Sequence, residues 1–86
     1  MKPICEINIY GNKHWILNGK LHREDGPAIE WHDGSKAWYI NGELHREDGP
    51  SIEFYNGYKD WHYHGKKIDC KDNQEFLRMV KLMAFL

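Results

Sequence analysis

The chain has 86 residues, enough for one small domain, and a chain of this size buries only about 60 to 65% of its unfolded surface. Thirteen acidic residues against twelve basic ones leave a net charge of −1, which excludes the broad positive field that collects nucleic acid or anionic lipid. Four Trp, five Tyr and three Phe supply the large side chains from which so small a core can be built.

The N-terminus, Met1-Lys2-Pro3-Ile4-Cys5-Glu6, carries no apolar run of signal-peptide length. No stretch approaches the roughly 18 apolar residues that a membrane span requires. Cys5 and Cys70 stand far apart with no CxxC or CxxH spacing, as expected of reduced thiols in a cytoplasmic protein. A bridge between the two ends is the alternative.

The string Leu21-His22-Arg23-Glu24-Asp25-Gly26-Pro27 returns as Leu44-His45-Arg46-Glu47-Asp48-Gly49-Pro50, an offset of 23 residues. The same offset relates Trp15, Trp38 and Trp61, so the chain contains nearly three copies of one supersecondary unit. The first copy reads as incomplete. It offers Ile9, Trp15 and Leu17 to a common face and is one residue shorter before Gly11 than its sisters are before Gly34 and Gly57.

In the complete unit, Ala28-Ile29-Glu30-Trp31-His32 alternates apolar with polar and predicts a strand. Asp33-Gly34 predicts a two-residue type I′ turn, and Ser35 to Ile40 a returning strand. Asn41-Gly42 is a second such turn, followed by the short strand Glu43-Leu44-His45. Arg46-Glu47-Asp48-Gly49-Pro50 then bends the chain into the next unit. With these turns Ile29 falls opposite Trp38, and Ile29, Trp31, Trp38 and Ile40 share one face; Ile52, Phe54, Trp61 and Tyr63 repeat the set. Trp15, Trp31, Trp38, Phe54 and Trp61 are therefore the expected repeat core. His22 falls opposite Trp15 and Leu21 opposite Ile16. A bulge would exchange the faces.

From Asp72 to Phe85 the period becomes helical, with Phe76, Leu77, Val80, Met83 and Ala84 in one stripe. Asp72 and Glu75 have capping-box spacing. The expected fold is mainly β with one C-terminal α-helix: a single domain over 1–86, with an antiparallel β-meander of hairpin repeats from about 4 to 70. The helix over 72–85 caps its end. The alternative is a helix that shows its stripe to a partner.

His-Arg-Glu-Asp offers a base, a cation and two carboxylates within four positions. Its repetition beside Gly-Pro predicts ion pairs and capped amides at a recurrent bend, with the outward side chains free for a partner. The partner-binding candidates are His22, Arg23, Glu24, Asp25, His45, Arg46, Glu47 and Asp48. A metal-dependent nuclease or other enzyme built on these copies is an alternative. His62 and His64 share one side of a strand at a chelating spacing, but no further ligand lies at a familiar distance, so no metal site is assigned. No nucleophile is accompanied by a base and orienting acid, and no phosphate-cradling glycine pattern occurs. No catalytic residue and no cofactor are expected.

The segment Trp38-Tyr39-Ile40-Asn41-Gly42-Glu43-Leu44-His45, its period of 23 and its recurring Asp-Gly or Asn-Gly resemble MORN repeats, in a divergent form where Arg-Glu-Asp-Gly-Pro follows the His. The wording over residues 11–65 is also similar to repeats in small proteins of tailed bacteriophages and large DNA viruses. The resemblance implies single-layer arrays of β-hairpins acting as protein-interaction or scaffolding modules. The expected function is thus non-enzymatic protein binding in the cytoplasm, for a viral protein that of its host. The partner is a host or antiviral-defence protein, with a self-assembling module, a homo-oligomer, as the structural alternative.

Overall fold

The computed structural model describes residues 2–83. Ten short strands and one helix follow in order: β1 (Ile4–Ile7), β2 (Lys13–Leu17), β3 (Lys20–Leu21), β4 (Ile29–Glu30), β5 (Lys36–Ala37), β6 (Tyr39–Ile40), β7 (Glu43–Leu44), β8 (Ile52–Glu53), β9 (Lys59–Tyr63), β10 (Lys66–Ile68) and α1 (Asn73–Met83). The main sheet runs β1-β2-β4-β5-β8-β9-β10 with β3 also on β2, all antiparallel, and β6 pairs with β7 beside it. At 41 × 32 × 17 Å the molecule is one sheet thick, with the helix at one end. This is the mainly antiparallel β-meander with a C-terminal helix that the repeat predicts. No described helix is long and apolar enough to cross a membrane.

The Asn-Gly turns form as expected. Asn18 and Gly19, Asn41 and Gly42, and His64 and Gly65 all have positive φ, the pair of left-handed residues that a type I′ turn requires. The register set by them, Ile16 opposite Leu21 and Tyr39 opposite Leu44, also agrees.

The Asp33-Gly34 turn does not. Only Gly34 has positive φ, and the Trp31 amide donates to the Ser35 carbonyl across a three-residue loop. Its residues are His32, Asp33 and Gly34, with Asp33 Oδ1 accepting from the Ser35 amide at 2.9 Å. That bond also holds the Asp33 carboxyl below the ordinary 3.8 of an aspartate. The extra residue slips the hairpin by one, so Ile29 faces Ala37 instead of Trp38. Ile29, Ala37 and Ile52 therefore lie in line across β4, β5 and β8, on the face opposite Trp38. The expected single aromatic face is split: Trp31 follows Ile29 on one side, and Trp15, Trp38 and Trp61 occupy the other.

The first unit is also complete where the sequence reading makes it short. Glu6 pairs with His14 and Ile7 with Lys13, the places held by Ile29 and Glu30 one unit later. Ile9 consequently lies in the turn and is 91% exposed instead of joining the core. Phe54 is likewise exposed, at 38%.

The helix starts as expected. Asp72 Oδ1 accepts from the Glu75 amide at 2.9 Å, whereas Glu75 Oε1 accepts from the Lys71 amide at 3.3 Å, one residue before the Asp72 amide that a capping box uses. Phe76 is fully buried against Trp61 and Ile68, with Met79, Val80 and Met83 packed around them; Leu77, expected in the stripe, is 44% exposed. The helix thus covers the end of the array. Ala84 and Phe85 lie outside the described residues.

Candidate functional site

Each repeated bend is closed on one tryptophan. Trp15 O accepts from the His22 amide at 3.0 Å and Trp15 N donates to Ala28 O at 2.8 Å, so both ends of the segment 22–28 are fastened to a single residue. Trp38 does the same for 45–51, accepting from His45 N at 3.0 Å and donating to Ser51 O at 2.7 Å. Ala28 and Ile29 both oppose Ala37, and Ser51 and Ile52 both oppose Asp60, which places a β-bulge at each exit.

Inside each loop the arginine folds back over that tryptophan, with Cζ 3.9 Å from the ring centroid in both copies. Arg23 Nε donates to Asp25 Oδ1 at 3.1 Å, and Nη1 donates to Pro27 O and to Glu30 Oε2, each at 3.1 Å. Arg46 repeats the set on Asp48, Pro50 O and Glu53, each at 3.0 Å. The glycine of the string leaves room for this arginine: a Cβ on Gly26 or Gly49 would stand 2.9 Å from the Cζ atom, so the stacked guanidinium would have to shift. The planar guanidinium, with donors in a fixed fork, fits where an ammonium could not.

The histidine links one unit to the next. His22 Nδ1 accepts from the Asn41 amide at 3.0 Å and His45 Nδ1 from the His64 amide at 2.8 Å, so both buried rings hold the following type I′ turn. With Nδ1 an acceptor, the ring N–H is at Nε2, which faces Glu24 Oε1 at 3.6 Å and Glu47 Oε1 at 3.5 Å. The His45 ring stacks on His64, centroids 4.1 Å apart, and not on a tryptophan.

The eight candidate residues thus divide. His22, Arg23, His45 and Arg46 turn inward, Asp25 and Asp48 brace the arginines from the surface, and Glu24 and Glu47 point outward. Between the two bends runs an open groove of about 760 Å³, floored by Trp38 and Ile40 and walled by both bends, with His64 at one side. A smaller groove of about 430 Å³ lies one unit earlier on Trp15 and Leu17, where Lys2 and Pro3 form the first wall. One unit later there is no third bend: Asp69 stands 23 residues after Arg46, and the helix takes the place instead. There Trp61 Nε1 donates to Asn73 Oδ1 at 3.3 Å, and Asn73 Nδ2 to Asp48 O at 3.3 Å.

His62 and His64 do not converge. His62 Nδ1 lies 2.6 Å from Ser51 Oγ, whereas His64 sits at the turn on His45. Burial holds the His62 ring below the ordinary 6.5 of a histidine; Lys67 adds to this and Asp60 opposes it. Burial also raises the Cys70 thiol, with Glu75 and neighbouring aspartates adding to the effect. Cys5 and Cys70 are free thiols, near opposite ends of the strand order. Among the described residues no group of three or more His, Cys, Asp or Glu side chains is placed to hold a metal ion.

The roles of Glu30 and Glu53 and of Gly26 and Gly49 are not read from the sequence, and Trp38 and Ile40, expected on the core face, line the groove instead. One signal was available: a glutamate follows each repeated arginine by seven residues, while Ile7 stands at the equivalent place of the first copy. Comparison with protein-family models, curated proteins and solved structures gave no match.

Proposed function

We propose that the protein is a non-enzymatic protein-interaction module whose binding surface is the groove between its two repeated bends. The observation that carries this reading is the groove itself, which sets Ile40 and the Trp38 ring, covered on one face by Arg46, between two near-identical hydrogen-bonded walls. A surface whose backbone is already held by internal hydrogen bonds loses less entropy when a partner enters. The likeness of the repeat to those of small phage and large DNA virus proteins supports a host or defence protein as that partner.

The test is affinity capture from host lysate with the full chain and its Ile40→Gln variant, after circular dichroism shows both folded. A protein retained by the parent and lost by the variant supports the groove. The same retained proteins on both, or none above the bare resin, contradicts it.

A second reading, self-assembly, is favoured by β1. This edge strand is exposed at all four residues, with Ile4 at 70% and Ile7 at 64%, and unpaired strand edges are templates for another chain. Light scattering across a concentration series separates the readings: a mass that rises with concentration supports assembly, and a constant monomer ends it.

A further inference from the structure

We propose that the occupant of the groove on Trp38 and Ile40 is an extended segment of a partner protein that carries lysine or arginine side chains. This rests on the groove being the binding surface and adds the chemical class of what enters it.

The charges around the groove leave a defined remainder. Arg23 is matched by Asp25 and Glu30, and Arg46 by Asp48 and Glu53. Each arginine thus already has two carboxylates. Glu24 and Glu47 are left over: among the described residues each faces only a histidine Nε2, at 3.6 and 3.5 Å, with side chains 83% and 73% exposed. They stand at equivalent places on the two bends, so the groove has unmatched negative charge on both rims, with Ile40 and the part of Trp38 not covered by Arg46 between them. That combination matches a segment alternating cationic with aliphatic side chains, since the long stems of Lys and Arg cover apolar surface while their charged heads reach the rim.

The molecule contains its own comparison. In the smaller groove one unit earlier, Lys2 occupies the wall position that Asp25 holds in the larger one, 23 residues on. There the chain itself supplies a cation to the groove that Glu24 and Asp25 border. The larger groove has the same floor type and histidine, with a carboxylate in place of that lysine and both lining arginines already matched by carboxylates, which leaves the place open to a cation from outside.

The experiment is an NMR titration of the intact, isotopically labelled chain with the capped pentapeptide Lys-Leu-Lys-Leu-Lys and, separately, with Glu-Leu-Glu-Leu-Glu. The lysine peptide is expected to shift the Trp38 indole and the Glu24 and Glu47 amides, to weaken with added salt, and to lose about tenfold in affinity in Glu24→Gln/Glu47→Gln. Lys59→Gln, on β9 away from the groove, serves as the control and is expected to bind as the parent does. Shifts spread evenly over the surface, equal response to the glutamate peptide, or undiminished binding by the double variant would each overturn the assignment. If lysate capture still depends on Ile40 while these peptide results fail, the groove stands and the basic class falls.

Discussion

Arg46 and Trp38 are eight residues apart in sequence and stacked in space, the guanidinium carbon 3.9 Å from the ring centroid, and the same tryptophan binds both ends of the loop that carries the arginine. The contact closes the loop by side chain as well as by backbone. Its exact counterpart at Trp15 and Arg23 makes the duplicated string a bracket built twice.

Replacement of Arg46 by Lys keeps the charge and loses the fork. Arg46 makes its bonds to Asp48, Pro50 O and Glu53 from two nitrogens, Nε and Nη1, whereas the three donors of an ammonium share one nitrogen, and the flat stacking is lost. Arg46→Lys is expected to cost about 1 to 2 kcal/mol in urea unfolding, allowing for the partial exposure of the site. A loss below about 0.3 kcal/mol would mean that charge alone suffices.

Gly49→Ala should act through the same arginine. Its Cβ meets Arg46 Cζ at 2.9 Å, so the guanidinium has to leave the ring or the loop has to shift. The expected loss is about 1 to 3 kcal/mol. In the Arg46→Ala background, where nothing is left to collide with, the same substitution should cost much less. Additive losses in this double-mutant cycle would contradict the steric account.

The pH dependence has a defined sign. The His62 ring is depressed below 6.5 by burial, so the unfolded chain binds the proton more readily than the folded one. The contribution of neutral His62 is complete above pH 6.5 and is lost as pH falls through the folded value. Thermal melts between pH 4.5 and 7.5 should show a decline on the acid side that is shallower in His62→Gln. Parallel curves for the two proteins would remove His62 from the account.

Phe76→Ala opens the only buried cluster that joins helix to sheet, among the described residues. Phe76 is fully buried on Trp61 and Ile68, and a loss of about 3 to 4 kcal/mol is expected. Trp61 should become wet, and the fluorescence maximum should move to longer wavelength. An unchanged spectrum with the helix signal retained would show that α1 does not seal this end.

Much of the array was legible because its signals are local. Asn-Gly needs only its own two φ angles, and Asp72 with Glu75 needs only one helical turn. The faces were not, because Asp33-Gly34 fits both a two-residue turn and a three-residue loop, and the difference of one residue inverts every side chain beyond it. Ile29 and Trp31 moved to the opposite face from Trp38 for that reason alone. The stacking of Arg23 on Trp15 was hidden for a related reason: it depends on the chain returning to the same tryptophan after six residues of bend. What the composition did convey was the bend's character, since Gly-Pro beside Arg and two carboxylates already reads as a braced turn.

The account assigns the inward half of the duplicated string to the fold and its outward glutamates to recognition, and a single set of thermal melts separates the two. Arg23→Ala/Arg46→Ala removes both stacked guanidiniums and should lower the melting temperature by about 15 °C or more, if the chain folds at all. Glu24→Gln/Glu47→Gln removes only exposed charge and should stay within about 2 °C of the parent. Equal shifts in the two double variants would contradict the division on which the proposed function rests.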